Sequence, residues 1–149
     1  MKRFVFRLER LLQLRESAER ARARDLGIAL RCEADCRAEA LAGEARLVGA
    51  RAQFAATSRG VAQAGTLQNL DLAIGALARE SKALADQHER SLERLEVERR
   101  QFEQARMAKR VLERLREQRR GAWHEAYNRW EQGEMDEAAG QHAHGEGEL

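Results

Sequence analysis

Not one proline interrupts the 149 residues of this chain. At the usual share of roughly 5%, about seven would be expected. Proline breaks helices by removing a backbone donor and clashing with the preceding turn, so its absence leaves long stretches free to remain helical. The rest of the composition agrees. Ala, Glu, Lys, Leu and Arg supply 92 residues, above the roughly 50% share that marks long helices and coiled coils. β-Sandwiches and doubly wound α/β folds need β-branched residues and turn chemistry that are scarce here. With seven aromatics in the whole chain, a globular core would be thin. The expected class is all-α: two long helices in an antiparallel coiled-coil hairpin, the second longer than the first.

The pattern along the chain places the helices. Leu11, Leu14, Ala18, Ala21, Ile28 and Cys32 follow each other at heptad-like steps, and the rhythm resumes at Cys36, Ala40, Gly43, Leu47, Ala50 and Phe54. Two successive steps of four around Cys36 predict a stutter, where a supercoil locally unwinds. Helix one is expected from about residue 4 to 57. The segment 58–66 holds the only interior cluster of turn residues, with Gly60 and Gly65, and Thr66 is a candidate N-cap. Leu67, Leu70, Ile74, Leu77 and Leu84 open a second seam, continued by Leu92, Leu95, Phe102, Leu112 and Leu115. Helix two is expected from about 67 to 139, with a disordered tail over 140–149. The whole of 1–139 reads as a single hairpin.

Folding about residue 61 or 62 sets position i opposite roughly 122 minus i. Phe4 then falls near Gln118 and Arg24 near Glu98, and helix two overhangs helix one from about Gly121. Trp123, Tyr127 and Trp130 share one face of that overhang, at i, i+4 and i+7. Helix one cannot cover them in this register. Trp, Tyr and Arg dominate interface hot spots, so a partner surface is expected there. The alternatives are that the first residues of the chain fold back over them, or that they pack in a dimer.

Charge is concentrated rather than large. The net charge is +2, carried almost wholly by 24 arginines among the basic residues. Residues 2–24 and 106–120 are each +5, while 131–149 holds six acidic residues and no Lys or Arg. A balanced total beside an acidic end argues against a nucleic-acid-binding coiled coil. No apolar run approaches a membrane span, and no export signal opens the chain. Two cysteines then fit a reducing, cytoplasmic setting. No GxxxxGK[ST], HExxH or GxSxG motif is present, so no enzyme, cofactor, metal or small-molecule substrate is expected. Cys32 and Cys36 read as small seam residues, His88 as a polar seam residue, and His142 and His144 as part of the tail.

The opening KRFVFRLERLLQLRE (Lys2–Glu16) and the closing EQGEMDEAA (Glu131–Ala139) resemble the two ends of the flagellar type III export protein family FliJ. The resemblance implies a non-enzymatic antiparallel coiled coil, similar to the central stalk subunit of rotary ATPases. It implies three partners: the hexameric flagellar export ATPase, the cytoplasmic domain of the membrane export gate, and export chaperones. Its implied place is cytoplasmic, at the inner-membrane face of the flagellar base. Carried onto this sequence, the ATPase-facing set is Phe6, Leu8, Leu11, Leu12, Leu14 and Arg15, with Gln132, Met135, Asp136 and Glu137. The overhanging Trp123, Tyr127 and Trp130 join it. Leu70, Ile74, Leu77, Leu84 and His88 are the corresponding gate-facing candidates. Gly133 stands where a helix former is expected, which predicts fraying of the last turns. The equivalent stalk of a virulence-type secretion system shares this architecture and is the closest alternative.

Overall fold

A computed structural model describes the backbone of residues 3–61 and 63–145, and side chains as far as Glu137. The fold is all-α. Helix α1 runs Glu9–Ser58 and helix α2 runs Ala64–Gly145, 50 and 82 residues long. The chain divides into two compact units. A terminal unit takes Met1–Glu19 with Gln104–Leu149, and a central unit takes Arg20–Glu103. In each, the two helices pack antiparallel.

The central unit contains the turn. Thr57 and Ser58 close α1 by returning their hydroxyls to the carbonyls of Gln53 and Ala55, at 2.8 and 3.1 Å. Gly60 then donates its N–H to the Thr57 carbonyl. The expected cap at Thr66 is not the one used. The Gln63 carbonyl accepts from Thr66 and Leu67, so α2 opens at Ala64 and takes Gly65 and Thr66 into its first turn. First-turn N–H groups have no intrahelical partner in any case, so nothing bars glycine there.

From Leu26, α1 turns Ala29, Glu33, Cys36, Ala40, Gly43, Leu47, Ala50 and Phe54 toward α2. These steps alternate three and four without a break, so the stutter expected at Cys36 is absent. Ile28 and Cys32 lie outside the seam and are exposed. Facing them, α2 supplies Leu67, Leu70, Ile74, Leu77, Ser81, Leu84, His88, Ser91, Leu95 and Glu98. Leu92 is exposed, and Ser91 occupies the seam place expected for it. A side chain at Gly43 would bring its Cβ to 2.7 Å from Leu84 Cδ1 and 3.7 Å from Ser81 Cα, which shows how closely the helices approach.

Some polar residues of the seam are paired across it, whereas Ser91 donates to the His88 carbonyl of its own helix and Glu98 Oε2 is buried with no hydrogen-bond partner among the described residues. His88 Nε2 and Glu33 Oε1 are 2.9 Å apart, and Gln87 donates to Cys36 Sγ at 3.7 Å. At the rim, Arg46 meets Glu80 at 2.8 Å. Such pairs specify register more than they add stability.

The terminal unit repeats the arrangement with a still more polar seam. Glu9, Leu12, Glu16 and Glu19 of α1 face Ala105, Lys109, Leu112 and Arg116 of α2. Leu12 is completely buried. Lys109 donates to Glu19 at 2.7 Å and also lies 3.6 Å from Glu113, while Arg116 lies 3.6 Å from Glu9. The hydrogen bond to Glu19 is the main cause holding the Lys109 ammonium above the ordinary lysine range, against the desolvation that opposes it. The leucines expected on this seam, Leu11 and Leu14, are therefore on the outside.

Candidate functional site

The terminal unit carries most of the residues that the sequence singles out. Its opening motif spends leucines on two faces. Leu12 points at α2, with none of its surface accessible. Two residues along a helix is a rotation of about 200°, so Leu14 points away and is 67% exposed. Leu8 and Leu11 are partly exposed beside it, and Arg15 is exposed. Of the six residues expected in the opening set, Leu12 alone is unavailable to a partner without separating the helices.

Helix α1 begins at Glu9 rather than at Phe4, and residues 3–8 form a non-helical strap. The Phe6 carbonyl accepts from Glu9, and the Leu8 carbonyl from Leu12. The register of this unit also differs from the expected one: Glu9 meets Arg116 and Glu19 meets Lys109, so position i lies opposite roughly 125 to 128 minus i, which sets Phe4 near Trp123 rather than Gln118. Phe4 and Trp123 have ring centroids 6.2 Å apart. The expectation that Trp123 is left uncovered is thus corrected, and the fold-back alternative is found for Trp123, not for Trp130. Phe4, Phe6, Leu8, Leu115, Arg119 and Trp123 line a cavity of about 570 Å³ beneath the strap.

From Phe4 the aromatic contacts continue along α2. Trp123 and Tyr127 stack with centroids 5.3 Å apart, and Tyr127 meets Trp130 at 5.9 Å. His124 sits edge-on to Trp123 at 5.0 Å. Trp130 ends the series and is 43% exposed. Aromatic pairs at these spacings contribute roughly 0.5–1.5 kcal/mol beyond area burial. They make this end a firm surface rather than loose side chains.

Beyond Trp130, α2 continues through Gly133, with no fraying at that position. Glycine costs a helix up to about 1 kcal/mol, which its neighbours here can carry. Gln132, Met135, Asp136 and Glu137 are all exposed. The helix also passes the expected end at residue 139. The rest of the tail, 146–149, and the side chains of His142 and His144 lie outside the described residues.

The gate-facing candidates belong to the central unit and sit differently. Leu70, Ile74, Leu77, Leu84 and His88 are all seam residues, half-buried against α1. What is open beside them is a groove of about 640 Å³. Leu41 and Val48 of α1 line it, more than half exposed, with Arg37, Arg51, Lys82 and an edge of His88. Sequence reasoning missed Leu41 and Val48. Their spacing of seven was the available signal, masked by the stronger seam adjoining it.

Among the described residues, no group of three or more His, Cys, Asp or Glu side chains could hold a metal ion. Among the described residues, no helix is long and apolar enough to cross a membrane.

The family model described as flagellar FliJ protein matches residues 4–148, nearly the whole chain. No curated protein and no solved structure gives a significant match.

Proposed function

The chain belongs to the FliJ family, a component of flagellar protein export, and from that premise we propose that it acts as a non-enzymatic stalk. In this reading its terminal unit engages the hexameric export ATPase. Its central unit contacts the cytoplasmic domain of the export gate and meets export chaperones. The work is done at the cytoplasmic face of the inner membrane. The observation that carries the ATPase assignment is the outward placement of Leu11, Leu14 and Arg15 on the unit that also presents Trp130. Tryptophan and arginine are residue types enriched in interface hot spots, and the exposed leucines add apolar surface for a partner to cover. Such a surface is poor in water and gains from being covered.

The gate reading rests on the central groove, where Leu41 and Val48 offer apolar contact and Arg37, Arg51 and Lys82 outnumber Glu44. Its occupant would present an apolar face with an acidic border.

One binding experiment tests both arms. Leu14→Ala with Trp130→Ala should weaken binding to the cognate ATPase by at least about 30-fold, the effect of removing one hot spot, and should abolish stimulation of hydrolysis. Helicity should be unchanged, since neither residue is on the seam. Leu41→Ala with Val48→Ala should weaken only the gate domain. Wild-type affinity in the first variant would refute the ATPase surface, and wild-type gate affinity in the second would refute the groove.

A further inference from the structure

The chain has two cysteines, and they stand one turn apart on α1 in the central unit. Residues at i and i+4 share a helix face, so the two thiols point the same way. Cys36 is buried in the seam and Cys32 is exposed, so the pair runs from the interior to the surface. A cavity of about 410 Å³ opens beside them, with Gln87, Arg90, Ser91 and Arg94 of α2 on its far wall. Gln87 donates to Cys36 Sγ at 3.7 Å, which orients that sulfur.

An intrahelical disulfide is disfavoured, because helical i,i+4 side chains keep their Cβ atoms further apart than the roughly 3.5–4.5 Å a disulfide needs. A four-coordinate zinc site is also disfavoured, because no third or fourth His, Cys, Asp or Glu ligand converges here among the described residues. Two thiols alone suit a cation that is satisfied by two sulfurs, and soft thiolates select the monovalent copper ion.

We propose that Cys32 and Cys36 form a two-thiolate site for a soft monovalent cation of the Cu(I) class. Binding forms two metal–sulfur bonds, displaces the two thiol protons to solvent and leaves copper in the monovalent state. The resulting bis-thiolate complex carries one negative charge, beside the Arg90 and Arg94 guanidiniums that line the cavity. Asp35 on α1 opposes that charge from the other side, and Arg94 favours the Cys32 thiolate. Both thiols must lose their protons to ligate the cation, so metal competes with protons and affinity must rise with pH.

The test is a competition titration of the full chain with Cu(I) and bathocuproine disulfonate under reducing, anaerobic conditions. One equivalent should bind per chain. Cys32→Ser should lose affinity by at least roughly 100-fold, because half of the ligand set is gone. That residue is outside the seam, so its loss leaves the fold intact. Cys36→Ala should lose as much. Affinity should rise with pH by up to about 100-fold per unit while both protons are released. Equal affinity in wild type and Cys32→Ser would overturn the site. So would copper that drives dimerisation and persists in Cys36→Ala, since it would then bridge two Cys32 residues. Zinc binding of comparable tightness would overturn the two-coordinate assignment.

Discussion

Leu12 and Leu14 lie in one motif, and the structure assigns them opposite tasks. Truncating Leu12 to alanine removes three carbons from a side chain with no accessible surface. At about 0.8 kcal/mol per buried methylene, the transfer term is roughly 2 kcal/mol. A cavity term adds to it, but a seam between only two helices can partly close, so the total should be about 2–3 kcal/mol, toward the low end of such substitutions. Leu14→Ala removes the same atoms from a side chain already two-thirds in water. Its cost should stay within about 0.5 kcal/mol, since alanine is the better helix former. Both tryptophans of the chain belong to the terminal unit, so urea unfolding followed by tryptophan fluorescence reports on the relevant part. With a denaturant slope of about 1–3 kcal/mol/M, Leu12→Ala should lower the midpoint by roughly 1–2 M and Leu14→Ala by little. Matching midpoints, or a larger loss from Leu14→Ala, would mean that Leu11 and Leu14 form the seam and that α1 is rotated from the orientation described for the terminal unit.

Two further perturbations probe the pairing itself. Gly49→Ala should raise stability by about 0.5–1 kcal/mol, because nothing lies within 4 Å of the added Cβ. Gly43→Ala should gain nothing, because its Cβ meets Leu84 Cδ1 at 2.7 Å; equal thermal stabilisation by both would contradict the close approach. Lys109 is raised above its ordinary value by Glu19, so its contribution is complete below the unfolded lysine pKa of about 10.4 and fades as pH climbs through the folded one. The melting-temperature gap between wild type and Lys109→Met should therefore narrow as pH rises above about 10.4; a constant gap would remove the ion pair from the account.

The fold class is legible because every local signal points one way: no proline, abundant helix formers and a single interior turn with Gly60. The seam is legible only where apolar residues occupy it. From Cys36 to Phe54, and from Leu67 to Leu84, counting hydrophobic residues finds the right face. From Leu11 to Cys32 it finds the wrong one, since Glu16, Glu19 and Glu33 hold inward positions while Leu11, Leu14 and Ile28 face out. A charged seam residue is visible as such only once its partner is known, and Lys109 and His88 lie 90 and 55 residues away in sequence. The strap was hidden for another reason. Nothing in residues 3–8 marks a break in the helix, and the register that sets Phe4 beside Trp123 is fixed by Glu9–Arg116 and Glu19–Lys109 rather than by apolar residues.

The polar seam has a consequence for recognition. Helices paired through alanine and leucine alone could slide by one heptad at little cost, since each layer would meet a similar one. Here a slide of seven residues sets Lys109 against Leu12 in the terminal unit, or Glu33 against Leu95 in the central one. Either leaves a charged seam residue without its partner, a larger penalty than the little the original pair contributes. The ion pairs therefore act chiefly by excluding wrong registers. A one-heptad slide amounts to about 10 Å along the helix. In the terminal unit that distance decides whether the strap ends on Trp123 and leaves Trp130 in water, or covers a different part of the aromatic series. Register is thus what gives the end of this chain a defined surface, and exchanging Glu19 and Lys109 for leucine should strengthen the pairing while blurring that surface.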